Sequence, residues 1–116
     1  MNDSVNVNNK KTPKYTEIFK LAAELVERDV WFEFEVVATG DFKRAYLFYP
    51  EQYSSSTKPD AVVKQGTGTK GFEDGLLEIT GLLYPEEAAQ SEDGTLGWLT
   101  AGNVLERILK KEAEKC

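Results

Sequence analysis

The spacing of apolar residues near the start of the chain predicts an amphipathic helix. Apolar side chains recur there at the intervals that place them on one helical face. They are Tyr15, Ile18, Phe19, Ala22, Leu25 and Val26. Thr12 followed by Pro13 is typical of an N-cap and a first helical residue, and the periodicity ends near Asp29. We therefore predict a first helix with Thr12 as its N-cap and Pro13 as its first residue.

The middle of the chain consists of short runs of aromatic and β-branched residues, which favour strands. These runs are Val30 to Ala38, Lys43 to Tyr49, Ala61 to Gln65 and Leu76 to Tyr84. The first two flank a turn signal at Gly40, so we predict that they form a hairpin. Both faces of this hairpin carry aromatic residues. Alternation therefore leaves open which face is the core.

The end of the chain predicts a second long helix. Thr100 is its N-cap candidate, and Leu99 and Val104 stand at the two positions of a hydrophobic staple. Its apolar stripe consists of Val104, Leu105, Ile108 and Leu109. Before it, Pro85 to Ala89 predicts one helical turn. Trp98 is interpreted as a core anchor at the start of this helix, with an exposed interface residue as the alternative.

Strands that are grouped between two helices predict the fold class. We expect an α+β protein, with an antiparallel sheet of three to four strands and both helices packed on one face. The first eleven residues, 1–11, are polar and are expected to be a disordered tail. Residues 12–116 are expected to form a single domain, because 116 residues are too few for two ordinary cores.

Composition narrows the function classes. The chain contains no histidine and a single cysteine, Cys116. Without histidine, Ser-His and Cys-His nucleophilic pairs and His-ligated zinc are excluded, so we expect a protein that is not an enzyme and has no cofactor. No apolar run is long enough for a membrane span, and no signal peptide is evident. We therefore expect a cytoplasmic protein that has no membrane partner.

The net charge of −6 is distributed unevenly. Residues 71–106 contain no Lys or Arg but eight acidic residues, of which seven are predicted to bind a partner. These seven are Glu73, Asp74, Glu78, Glu86, Glu87, Glu92 and Asp93. An acidic block suits a partner protein with a basic surface. The negative net charge argues against direct binding of nucleic acid, whose affinity depends on neutralising phosphates.

Other patterns have structural explanations that we prefer. Residues 66–71 match G-x-G-x-x-G, but no helical sequence follows, so we predict a β-connection and leave open whether it binds anything. Glu33 and Glu35 lie on one strand face about 6.6 Å apart along the strand, as an exposed face readily provides. Aromatic residues beside Lys43 and Arg44 are typical of single-strand stacking, yet also of ordinary support for basic side chains.

The C-terminal third carries a family resemblance. It comprises GLLEITGLLYPEE at 75–87, GWLTA at 97–101 and VLERI at 104–108. In these segments the chain resembles small uncharacterised proteins of phages and mobile elements of Gram-positive bacteria. The resemblance implies a role like that of anti-CRISPR proteins and other inhibitors, which occupy basic surfaces of host proteins. It brings no catalytic residues with it.

The leading hypothesis is a non-catalytic binding protein that modulates a host nucleic-acid-handling complex, such as a CRISPR-type defence complex. The alternative is a structural or accessory module of a mobile element, which forms a homodimer through its sheet. A third class is an enzyme that uses carboxylates or a nucleotide at residues 66–71.

Overall fold

The computed structural model of the protein describes residues 15–50 and 60–114. In chain order its elements are α1 (Thr16–Glu27), β1 (Glu33–Thr39), β2 (Phe42–Tyr49), β3 (Ala61–Gly66), β4 (Leu77–Thr80), α2 (Pro85–Gln90), β5 (Thr95–Leu99) and α3 (Ala101–Glu114). A 3-10 turn, Phe72–Asp74, lies between β3 and β4. The predicted helix start at Thr12 and Pro13 is wrong, because Tyr15 has non-helical backbone angles and is the N-cap of a helix whose first residue is Thr16. Thr12 and Pro13 themselves, the predicted tail at residues 1–11 and Cys116 lie outside the described residues.

The sheet has five antiparallel strands that follow one another in chain order. The predicted α+β class is confirmed, but the strand number of three to four is too low because β5 was missed. β5 is short and contains a glycine, so its sequence resembles a loop. β4 is shorter than predicted. It ends at Thr80 because Gly81, with a φ of 94°, turns the chain against the backbone of Asp60.

Both long helices pack on one face of the sheet, as predicted. Ala45, Leu47 and Tyr49 of β2 are buried on this face, while the alternate residues of β2 lie on the open face. The core joins them to the inner residues of the other elements, chiefly Ile18, Leu21, Leu25, Val63, Leu77, Ile79, Val104 and Ile108. Packing against α1 and α3 therefore decides which face of the hairpin is the core.

The apolar stripe of α1 is split between the core and the surface. Ile18 and Leu25 are buried as the periodicity predicts, together with Leu21. Phe19 and Val26, however, are 54% and 64% exposed. The prediction of one buried stripe is wrong for these two residues because α1 packs mainly on β2 and β3 and meets β1 only at its margin, where Phe19 contacts Phe34.

The N-termini of α1 and α3 are held together by side chains from remote positions. The buried Gln65 of β3 accepts a hydrogen bond from the N–H of Ile18 at 3.1 Å. Glu17 accepts one from the N–H of Ala101 at 2.7 Å. Thr100 caps α3 as predicted, since its hydroxyl accepts the N–H of Asn103 at 3.1 Å. The helix starts, β5 and the segment after β3 thus meet at one end of the molecule.

Candidate protein-binding surface

Glu78, one of the seven predicted acids, lies within the fold. Its side chain is nearly buried on β4, and its carboxylate is 3.2 Å from Nζ of Lys64 on β3. The same carboxylate accepts the backbone N–H of Lys70 at 2.7 Å. A nearly buried carboxylate with these two partners holds the segment after β3 against the sheet, so we do not include Glu78 in the partner-binding surface.

Glu87 is likewise engaged inside the protein. Its two carboxylate oxygens each accept a hydrogen bond from the guanidinium of Arg107 at 2.7 Å, and Arg107 is almost fully buried. The guanidinium also lies 4.4 Å from the ring centre of Tyr84 and donates to the carbonyl of Leu82. Hydrogen bonding by Arg107 holds the pKa of Glu87 below its ordinary value. The pair ties α2 to α3.

Arg107 was not predicted as a structural residue. It lies inside the apolar stripe of α3, where the sequence offers no sign that a charged side chain is buried. Its partner, Glu87, is 20 positions away along the chain. Only the packing of α2 against α3 reveals the pair.

Asp93 is exposed but organises its own turn. Its carboxylate accepts the hydroxyl of Thr95 at 2.7 Å and the backbone N–H of the same residue at 3.1 Å. The hydroxyl of Ser91 donates to it at 3.2 Å, and Nζ of Lys70 lies 4.0 Å away. These hydrogen bonds, those from Thr95 foremost, lower the pKa of Asp93 to about 2. Asp93 therefore keeps its charge at all physiological pH values.

The other four predicted acids are exposed and fall into three places. Glu73 and Asp74 lie in the 3-10 turn beside β5. Glu86 lies in the first turn of α2, and Glu92 lies in the turn before β5. The structure therefore brings only part of the acidic block together.

Trp98 is on the surface, and the prediction of a core anchor is wrong. Its side chain is 58% exposed, whereas the next residue, Leu99, is buried opposite Leu77. The β4–β5 register shifts between Leu77 and Ile79, so that β5 contains an extra residue there. This bulge gives Trp98 a left-handed backbone with a φ of 59° and turns its side chain outward.

Trp98 and residues 67–74 line a shallow groove of about 680 Å³, which we name the Trp98 groove. Its lining includes the exposed Glu73 and Asp74, and Lys70 lies at its border with the turn of Asp93. An exposed aromatic ring thus lies beside two carboxylates.

The glycine-rich motif at residues 66–71 is explained by close packing. A Cβ on Gly66 would lie 2.3 Å from the carbonyl oxygen of Lys43, and one on Gly71 would lie 2.9 Å from the backbone nitrogen of Trp98. The motif is followed by a three-residue 3-10 turn and then β4, without the α-helix that a pyrophosphate site requires. The prediction of a β-connection at this position is confirmed.

The remaining candidates lie on the open face of the sheet. Glu33 and Glu35 are exposed there on β1. Arg44 lies 4.9 Å from the ring centre of Phe42 and donates two hydrogen bonds to the carbonyl of Thr67, so its charge serves the link between β2 and the segment after β3. Within residues 15–50 and 60–114, no three potential ligand side chains cluster as a metal site would require.

The lengths of the helices and the comparisons with known proteins point to no further function. In the part of the chain that the structure describes, no helix has the length and apolar character to cross a membrane. Comparison with protein-family models, curated proteins and solved structures finds no match.

Proposed function

We propose that this chain is a non-catalytic binding protein that docks on a basic surface of a partner protein through the Trp98 groove. The observation that carries the proposal is that Trp98 is exposed, has a left-handed backbone and shares a groove with two carboxylates, those of Glu73 and Asp74. A bulky residue in this conformation costs about 1–2 kcal/mol. Such strain at a surface position is typical of a functional site.

The ring of Trp98 suits a basic contact. Trp is enriched among the residues that dominate binding energy at protein interfaces. A Lys or Arg side chain over its face gains a cation–π interaction of about 0.5–2 kcal/mol. In the groove, such a cation would also lie beside Glu73 and Asp74. Aromatic and ionic contacts thus favour the same chemical class of partner.

The exposed acidic residues near β5 also favour association with a basic partner protein. Asp93 stays ionised, and Glu92 is exposed beside it. Glu73 and Asp74 lie at the Leu77–Leu99 end of the β4–β5 pair, and Glu92 and Asp93 lie at its Thr80–Thr95 end. These four acids thus flank β5 from both ends and favour the approach of a basic partner. Glu86 lies outside this group, and Glu78 and Glu87 act within the fold.

The partner class that we propose is a nucleic-acid-handling protein of a host, including complexes of the CRISPR type. Basic surfaces on such proteins neutralise phosphates, and carboxylates offer them a competing set of negative charges. Occupation of that surface would inhibit or modulate the complex by exclusion of nucleic acid. This partner class is the one that the resemblance predicted from the C-terminal third implies.

The test is comparative affinity capture from a bacterial lysate, followed by mass spectrometry. The variants are Trp98→Asn and the double variant Glu73→Gln/Asp74→Asn. The matched control is Glu33→Gln/Glu35→Gln, which removes two exposed charges from the open face. We expect the wild type and the control to retain a nucleic-acid-binding protein that both groove variants lose.

A competition experiment tests the proposed class of partner. An excess of nucleic acid is expected to release the captured protein from the wild type, and so is raised salt concentration. Equal capture by the groove variants and the control would contradict the groove as the binding surface. Capture that is insensitive to nucleic acid would contradict the partner class.

A further inference from the structure

The outer edge of β1 has the properties of a pairing surface. β1 is a regular strand of seven residues at the edge of the sheet, and no strand within residues 15–50 and 60–114 pairs with its outer side. Its sequence, EFEVVAT, contains neither Lys nor Pro, two residues with which edge strands commonly prevent pairing, and its charged residues are Glu33 and Glu35 on the open face.

The hydrogen bonds of β2 show which backbone groups of β1 point outward. Both backbone groups of Lys43 bond to Thr67 on the β3 side, the N–H at 3.0 Å and the carbonyl at 2.8 Å. Ala38, which is opposite Lys43, therefore directs its N–H and C=O away from β2. By alternation Val36 and Phe34 do the same. Three donors and three acceptors thus line the outer edge.

An apolar surface accompanies this edge. Val36 is 60% exposed on the helix-bearing side of the sheet. Next to it, the exposed Phe19 of α1 contacts Phe34, with ring centres 5.4 Å apart. Val26 of α1 is exposed as well. Exposed backbone groups and exposed apolar side chains therefore occur at the same edge.

We propose that a second copy of this chain occupies the edge, and that two β1 strands pair antiparallel about a two-fold axis at Val36. The two five-stranded sheets would then form one continuous sheet of ten strands. A two-fold interface uses the same surface on both copies, so a single edge suffices. This surface is distinct from the Trp98 groove, and the inference does not depend on the proposed function.

The charges of β1 select this register. With Val36 opposite Val36 of the second copy, each Phe34 faces an Ala38, so all three outward residues are paired. Glu35 then faces Val37, and Glu33 faces Thr39, so no like charges are directly opposite. An axis at Glu35 would oppose two glutamates, and an axis at Val37 would oppose Glu33 and Asp41. Like charges at such positions destabilise a sheet.

Light scattering after gel filtration, over roughly 1 to 100 µM protein, tests the dimer. The variant Val36→Lys places two ammonium groups at the axis, while its exposed position should preserve the monomer fold. The matched control, Ala89→Lys, adds the same charge on the exposed face of α2. We expect dimers of the wild type and of the control, and a folded monomer of Val36→Lys, with circular dichroism as the check of folding.

A monomeric wild type over this whole range would overturn the inference, and so would a dimeric Val36→Lys variant. Trp98→Asn is expected to remain dimeric. The dimer and the Trp98 groove are thus tested with separate variants, so that one proposal can fail without the other.

Oxidative cross-linking tests the register in a Cys116→Ser background. Val36→Cys should cross-link with itself, because the Cα atoms of such a pair lie about 5.5 Å apart, within the range of disulfides. Glu33→Cys alone should not, because its two copies would lie about 20 Å apart along the strands. A mixture of Glu33→Cys and Thr39→Cys should cross-link. Self-linking of Glu33→Cys, or none by Val36→Cys, would overturn the register.

Discussion

The two outer strands of the sheet, β1 and β5, differ in regularity and in what they expose. β1 has seven residues in unbroken register with β2, and it exposes outward backbone groups, apolar side chains and, on the open face, Glu33 and Glu35. β5 has five residues and a bulge in its pairing with β4, and the segment that contains Lys70 packs against its Gly97. Its exposed feature is the side chain of Trp98.

This difference shows how one sheet can provide two kinds of surface. A regular edge offers a periodic row of donors and acceptors, which another strand can match. A bulge interrupts that row and re-aims a side chain, which favours recognition by side-chain contacts. The proposals for β1 and β5 follow from these two geometries.

The largest expected loss of stability follows from breaking the ion pair between Glu87 and Arg107, which holds the segment that leads into β5. Glu87→Gln leaves the buried guanidinium of Arg107 without its counter-charge, and we expect a loss of about 3 kcal/mol in the free energy of unfolding. Because α2 leads into β5, amide hydrogen exchange should rise in residues 85–99 and stay unchanged in β1. Denaturant unfolding and hydrogen exchange measure this. The exposed neighbour Glu86→Gln is the control, with a change within about 0.5 kcal/mol.

The ion pair between Glu87 and Arg107 also makes the stability of the protein depend on pH. The pKa of Glu87 is lowered in the folded protein, so its contribution to stability is present above the ordinary value of 4.5 and is lost as the pH falls through the folded value. The difference in stability between the wild type and Glu87→Gln should therefore shrink in acid. A difference that stays constant through this pH range would contradict the role of the ion pair.

A smaller loss of stability is expected when the close contact between Gly97, beside the bulge, and Lys70 is disturbed. Gly97→Ala would place a Cβ 2.3 Å from Cβ of Lys70, so the loop must move away from β5. We expect a loss of about 1–3 kcal/mol in denaturant unfolding, as for other overpacked sites. Gly102→Ala is the matched control, since its nearest neighbour is 3.8 Å away and it lies in a helix. Equal losses in both variants would show that β5 and the loop do not pack closely.

The smallest effect on stability is expected at Trp98 itself. Asn tolerates the left-handed backbone better than Trp does, so Trp98→Asn should change the free energy of unfolding by no more than about 1 kcal/mol. Trp31→Asn, at another exposed tryptophan without a positive φ, is the control for loss of the ring. A loss above about 2 kcal/mol for Trp98→Asn alone would mean that Trp98 is mainly a packing residue.

Local signals predicted the elements well. The stripes of α1 and α3, the hairpin turn at Gly40, the start of α2 at Pro85 and the cap at Thr100 all depend on residues within a few positions of one another. Their physical causes are helical periodicity, strand alternation and capping, which act over short distances along the chain. The fold class followed from the order of these elements.

The candidate site was only partly predictable. The acidic block between residues 71 and 106 is evident in the sequence, but the bases that engage Glu78 and Glu87 are Lys64 and Arg107, which lie outside it. Ion pairs depend on distance in space, so a local charge count overestimates the charge that is available to a partner.

The amino-acid sequence alone determined the α+β class, the two long helices, the first four strands in outline and the acidic character of the second half. Only the tertiary structure decided which face of the hairpin is buried, which acids stay exposed and where Trp98 points. The reason is that these properties depend on strand register and on packing between remote elements. A one-residue bulge in β5 was enough to bring Trp98 to the surface.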